Sequence, residues 1–130
     1  NIAKFVDELP ILFAVAALQK GRSLFKNCHE LIHKESNRLL EMKKILIQIG
    51  IKCKITKNND MIIYGKGKIE SRNKSIIVNT PEDHRINLTS AILALATGIR
   101  TNIKRFDSTL TSFPGFISII KNLGGKIVIN

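Results

Sequence analysis

The chain has 130 residues, 44% of them hydrophobic, which is enough to bury the core of one ordinary domain. Its longest apolar stretches, Leu9 to Leu18 and Ile92 to Ala96, are far too short to span a bilayer and follow no basic-then-apolar leader, so a soluble, cytoplasmic protein with no membrane partner is expected. The formal charge of +11 admits an anionic partner, but the lysines are scattered from Lys4 to Lys126 and one tyrosine with no tryptophan offers little for base stacking, which argues against nucleic acid.

The start at Asn1, without a methionine and almost directly into a helix signal, is what a piece of a longer protein would show. Asp7 reads as the cap of a first helix, with Pro10 in its first turn and Gly21 beyond its end at Lys20. Arg22 to Asn27 reads as a strand. A second helix is predicted from about Lys34 to Ile49, with Leu39, Leu40, Leu46 and Ile49 at helical spacing and Gly50 closing it. Lys52 to Thr56 and Met61 to Tyr64 form a hairpin around Lys57-Asn58-Asn59-Asp60, and Ser75 to Val78 is another strand. Asp83 caps a helix that ends at Gly98, Thr101 to Arg105 is a strand, Ser112 caps a helix containing Pro114 that ends at Gly124, and Lys126 to Ile129 is a last strand.

The order repeats, and so does the text: "AALQKGRSLFKN" against "LALATGIRTNIKRF", and "KKILIQIGIKCKI" against "ISIIKNLGGKIVI". Two copies of one helix-strand-helix-strand unit, about 75 residues apart, point to an α/β fold built from repeated β/α units. The approximate repeats are 7–64 and 83–130. Asp7 and Asp83 then open equivalent helices, whose N-termini would favour an anion on a common face.

The two cysteines, Cys28 and Cys53, lack a Cys-x-x-Cys spacing, so neither a disulfide scaffold nor a cysteine-rich zinc site is expected. His29-Glu30-Leu31-Ile32-His33 spells the H-E-x-x-H of zinc proteases, yet no third ligand is marked and Ser36 stands where one subgroup needs glycine, so no metal is expected. Lys34, Glu35 and Arg38 would lie on the first turn of their helix, with the two cations able to reach one anion. In Asp83-His84-Arg85, an arginine in the first turn opposes the helix dipole, a local violation that a bound anion would offset.

The segments "DELPILFAVAAL", "HELIHKESNRLLEMKKILIQIGI", "DHRINLTSAILALATG" and "TSFPGFISIIKNLGG" closely resemble the C-terminal part of the 5-enolpyruvylshikimate-3-phosphate synthases, or 3-phosphoshikimate 1-carboxyvinyltransferases. The resemblance covers almost the whole chain. It implies repeated β/α units of the enolpyruvyl transferase type, and transfer of the enolpyruvyl group of phosphoenolpyruvate to the 5-hydroxyl of shikimate 3-phosphate, a step of the shikimate pathway of aromatic amino acid biosynthesis. It implies no metal or organic cofactor. By position, Asp7 corresponds to the proton acceptor on the shikimate hydroxyl and Glu35 to the carboxyl that exchanges a proton with the methylene carbon. Lys34 corresponds to a lysine between the two substrates, Arg38 and Arg85 to arginines that hold phosphoenolpyruvate, and Glu30 to a shikimate-contacting residue. His84 and Asp83 are implied to support Arg85 and the reacting centre. Before "SFPGF" the family usually has a further phosphoenolpyruvate-binding lysine, where this chain has Thr111. The N-terminal domain of the family is missing from this chain, which implies an inactive fragment. The competing reading is a non-catalytic anion- or nucleic-acid-binding basic module.

Overall fold

In the computed structural model, which describes residues 7–71 and 74–126, helix α1 spans Leu9–Ala17 and strand β1 spans Gly21–Phe25. A short 3₁₀ turn at His29–His33 leads to α2, Arg38–Gln48. Strands β2 (Lys52–Ile55) and β3 (Met61–Gly65) form the expected hairpin, and β1 adds to the other side of β3, so all pairings in this sheet are antiparallel. Strand β4 (Ser75–Val78), helix α3 (His84–Thr97) and strand β5 (Arg100–Ile103) then make a parallel β-α-β unit. Two short helices follow, α4 at Phe106–Ser112 and α5 at Phe116–Asn122. The strand expected at Lys126 to Ile129 lies almost wholly outside the described residues.

Alternation along the strands decides the core. Cys53, Met61 and Ile63 turn inward from the three-stranded sheet and meet Phe13 and Ala14 of α1 and Met42, Ile45 and Leu46 of α2, all buried. Phe13 packs edge-on against Phe25 with ring centroids 4.9 Å apart. Ile76 and Val78 of β4 and Ile86 and Leu93 of α3 continue the same core. The helices α1, α2 and α3 pack on one another.

Where local signals are complete, boundaries fall where the sequence places them. Asp83 caps α3 by accepting from the backbone N–H of Arg85 and Ile86, and Gly98 ends it in the left-handed conformation at φ 74°. The first helix stops at Ala17 rather than Lys20, the strands expected at Arg22 to Asn27 and Thr101 to Arg105 end at Phe25 and Ile103, and other boundaries differ as well. The second helix begins at Arg38 rather than Lys34, because Asn37 is the cap and accepts from the Leu40 N–H. Its apolar stripe also omits Leu40, which is exposed, in favour of Met42 and Ile45. Asp7 is not the cap of α1, whose N-terminal flank is Glu8 without a side-chain cap. The helix expected from Ser112 to Gly124 is only α5, and α4, which the sequence did not signal, ends where that helix was to begin, because Phe113, ahead of Pro114, leaves the helical region (φ −139°, ψ 76°).

Candidate functional site

Three helix starts meet at one guanidinium. Arg38 opens α2, Asp83 caps α3 and Asp7 lies just before α1. The Arg38 side chain is 3% exposed and directs each nitrogen at a different carboxylate. Its Nε donates to Asp83 Oδ2 at 2.9 Å, one terminal nitrogen donates to Asp7 Oδ1 at 3.3 Å, and the other donates to Glu35. A planar fork with five donors held in fixed directions suits this arrangement better than the compact ammonium of a lysine. Lys34 comes in beside it, with Nζ 3.6 Å from the same Asp7 oxygen.

The 34–38 segment is positioned from both ends. Upstream, Asn27 takes a left-handed conformation and its N–H donates to Asp60 Oδ1 at 2.7 Å, while the Cys28 N–H donates to the Asn59 carbonyl, fastening the segment to the hairpin turn. Leu31, fully buried, anchors the 3₁₀ turn. Downstream, the Asn37 cap fixes the helix that carries Arg38. Lys34 and Glu35 are therefore outside the helix, in extended and irregular backbone, and reach Asp7 and Arg38 through tertiary placement rather than helical spacing.

Asp83 is the fully buried member. Its Oδ2 accepts from Arg38 and from the Ser36 hydroxyl at 2.7 Å, and its Oδ1 accepts from the two α3 N–H groups. Burial by itself would push this carboxyl up, but the Arg38 and Ser36 hydrogen bonds, the Arg38 charge and the Ile86 N–H outweigh it and hold the group below its ordinary value. Asp7 and Glu35, at 46% and 59% side-chain exposure, face the open side. Arg85 is exposed, and one terminal nitrogen donates to the Asp7 carbonyl at 3.4 Å. The locus thus gathers three acids (Asp7, Glu35, Asp83) and three cations (Lys34, Arg38, Arg85) at helix N-termini, which suits it to an anionic ligand whose groups displace internal partners.

His84 lies next to this cluster and is tied to α4, with Nδ1 2.9 Å from Thr109 Oγ1. Thr109 is buried and also accepts from Asn87 Nδ2 at 3.0 Å, and Asn87 Oδ1 accepts from the Thr80 hydroxyl at 2.9 Å. Sequence reasoning missed Ser36, Thr80, Asn87 and Thr109; the one visible signal was Asn87, an amide one helical turn after Asp83 on a helix that buries Thr89 and Ser90 beside Ile86 and Leu93. Glu30, by contrast, is exposed on the 3₁₀ turn and the structure does not bring it to Arg38. His29 and His33 face each other there, rings edge-on at 5.2 Å, and no group of three or more His, Cys, Asp or Glu side chains among the described residues is placed to hold a metal. Thr111 is exposed and its hydroxyl donates to the Asp107 carbonyl in its own helix. Among the described residues no helix is long and apolar enough to cross a membrane.

Residues 1–120 match the family described as EPSP synthase (3-phosphoshikimate 1-carboxyvinyltransferase). A 3-phosphoshikimate 1-carboxyvinyltransferase of Clostridium tetani is 35% identical over 117 residues, covering 90% of this chain and 26% of the relative. One from Campylobacter jejuni subsp. doylei is 40% identical over 127 residues, covering 98% and 28%. Among solved structures, an EPSP synthase from Acinetobacter baumannii superposes with a TM-score of 0.76 at 30% identity, over 97% of this chain and 28% of that one. The chain therefore spans little more than a quarter of the length of the proteins it matches.

Proposed function

The chain belongs to the EPSP synthase family, and we propose on that premise that it supplies one face of a site transferring the enolpyruvyl group of phosphoenolpyruvate to the 5-hydroxyl of shikimate 3-phosphate. The observation that carries this reading is the convergence of Asp7 and Glu35 on the buried Arg38–Asp83 pair, with Lys34 and Arg85 reaching Asp7, because that sets two solvent-facing carboxylates among cations at three helix starts. In the proposed reaction Asp7 takes the proton of the attacking hydroxyl, and Glu35 exchanges a proton with the methylene carbon as the tetrahedral adduct forms and collapses to release phosphate. Lys34 and Arg85 hold the anionic groups, and the cationic face stabilises charge that builds up in the adduct. The two proposed repeats, 7–64 and 83–130, meet at the Arg38–Asp83 contact.

The geometry refines the part of Arg38. Its Nε side is closed by Asp83, so a substrate carboxylate or phosphate approaches only its two terminal nitrogens, replacing Glu35 or Asp7. Displacement by the substrate would free the carboxyl that then handles the proton. Asp83 and His84 act as supports in this reading, and Glu30 contacts shikimate from the 3₁₀ turn. The partners are the two small-molecule substrates and the remaining, N-terminal portion of the enzyme, without which the chain is expected to be inactive.

Calorimetric titration with shikimate 3-phosphate tests the proposal. Saturable binding, lost on Asp7→Ala and Arg85→Ala, together with turnover only when the N-terminal portion is supplied, is the expected result. Salt-dependent binding to unrelated DNA with no response to shikimate 3-phosphate would sink it in favour of a basic binding module.

A further inference from the structure

The hydrogen-bond line running from β4 to α4 through α3 carries a directional consequence for His84. Thr80 Oγ1, Asn87, Thr109 Oγ1 and His84 Nδ1 follow one another at 2.9, 3.0 and 2.9 Å. Each threonine hydroxyl has one hydrogen to donate and two lone pairs, an asparagine amide has a donor end and an acceptor end, and the hydrogen of the fully buried Thr109 meets no acceptor among the described residues but His84 Nδ1. Thr80 gives its hydrogen to Asn87 Oδ1, Asn87 Nδ2 gives one to Thr109 Oγ1, and Thr109 is left with its own hydrogen aimed at His84 Nδ1. Running the line backwards would leave the hydroxyl hydrogen of Thr80, a residue only 1% exposed, without an acceptor among the described residues. Burying an unused donor is costly, so the forward direction prevails.

We propose that Asn87 and Thr109 are positioning residues that lock His84 in its neutral Nε2–H tautomer, with Nδ1 as acceptor. The ring then offers a single uncharged donor, Nε2–H, on a residue flanked in sequence by Asp83 and Arg85. Beside three cations and three carboxylates, such a donor can bind a substrate oxygen without adding to the charge of the cluster. Asn87 acts at one remove, by donating to Thr109 Oγ1 and so holding that hydroxyl with its hydrogen turned towards the imidazole. The lock follows from the geometry of this chain alone and does not depend on the transferase reading, though in that reading it specifies what His84 contributes.

Nitrogen-15 correlation spectra of the histidine rings, recorded on the chain at about pH 8.5 where an ordinary imidazole of pKa about 6.5 is neutral, test the lock directly. The exposed His29 and His33 serve as references within the same molecule. In the unaltered chain His84 should show a pyridine-like Nδ1 and a pyrrole-like Nε2, with a tautomer ratio about tenfold or more beyond that of the references, and Thr109 should show a hydroxyl proton protected from solvent exchange. Thr109→Ser, which keeps the hydroxyl, should preserve the signature. Thr109→Val should bring the ratio down to that of the references, and Asn87→Ala should shift it the same way. A hydrogen on Nδ1 in the unaltered chain overturns the proposal without recourse to any variant, as does a ratio untouched by Thr109→Val in a folded protein. Either outcome leaves the shikimate 3-phosphate titration unaffected, so the two readings fail separately.

Discussion

Replacing Arg38 by leucine removes the guanidinium while keeping most of the apolar stem, and the cost can be worked from its three partners. Asp7 and Glu35 are about half exposed, and solvent takes over most of what the arginine gave them, so they contribute little. Asp83 cannot be rehydrated, being fully buried. Stripping the partner from a buried carboxylate costs about 3–5 kcal/mol, and because Asp83 retains the Ser36 hydroxyl and two α3 N–H groups the lower end applies, about 3 kcal/mol. With a urea dependence of about 1.5 kcal/mol per molar, the unfolding midpoint should fall by about 2 M. The pH dependence gives a second check. With Arg38 present, the folded Asp83 pKa lies below the ordinary 3.8, so its contribution is in place above that value and is lost as the pH drops through the lower folded one. Without Arg38, burial is opposed only by the Ser36 hydroxyl and the α3 N–H groups, and the folded pKa rises, so the variant is penalised more as the pH rises. The gap between the two proteins should therefore widen from acid towards neutral pH. A midpoint shift under about 0.5 M, or a gap that does not change with pH, would refute the claim that Arg38 holds a buried charge in place.

Further expectations concern the scaffold. Gly65→Ala should destabilise by about 3 kcal/mol in thermal melts followed by circular dichroism, because a Cβ there would overlap the carbonyl oxygens of Ala16 and Gln19 where the end of α1 crosses β3; a loss below about 1 kcal/mol would contradict that close approach. Cys28 and Cys53 are buried, and burial pushes the Cys28 thiol up to about 11, so a disulfide reagent at about pH 8 should label neither until the chain unfolds, and prompt labelling of the native chain would refute their burial. Gln48 spans the open edge of β4, its amide donating to the Ile77 carbonyl and accepting from the Ile77 N–H, both at 2.9 Å. Gln48→Ala should cost about 1 kcal/mol and expose that edge, giving concentration-dependent self-association in sedimentation, whereas a strictly unchanged sedimentation profile would show that the edge needs no cover.

What the sequence disclosed and what it withheld follow from the range of the forces involved. Helix α3 was legible to the residue because both of its ends are decided within a few positions, by the Asp83 carboxylate and by Gly98. The break after Ser112 was equally local, since the residue before Pro114 is driven out of the helical region. At Lys34 the charged pattern suggested a helix start, while the operative signal was Asn37, a good cap standing directly before Leu39 and Leu40. Asp7 could not be read correctly from its neighbourhood at all. Its carboxylate is drawn away from the α1 N-terminus by Arg38 and Lys34, which lie about 30 residues on. The acids and cations of the site were legible as residue types; the buried hydroxyl and amide line behind His84 was not, because serine, threonine and asparagine carry no comparable pattern in sequence.

The charge arrangement also bears on Thr111. Three acids balanced by three cations leave no surplus positive charge for a ligand bearing both phosphate and carboxylate, and Thr111 adds none, its hydroxyl being spent on its own helix. A cation locked to a buried partner is also not readily lent: the Nε side of Arg38 is held by the fully buried Asp83 at 2.9 Å. Any positive field felt by an incoming anion must then come from cations whose partners are exposed and easily rehydrated. Lys34 and the two terminal nitrogens of Arg38 meet that condition, because Asp7 and Glu35 can turn to water at small cost, and so does Arg85, which is exposed and donates to the Asp7 main-chain carbonyl rather than to a carboxylate. In the proposed reaction the same release makes the carboxylates available for proton transfer. Binding of the anion and readiness of the base are in this way one event, and their coupling rests on the difference between one buried acid and two exposed ones around a single guanidinium.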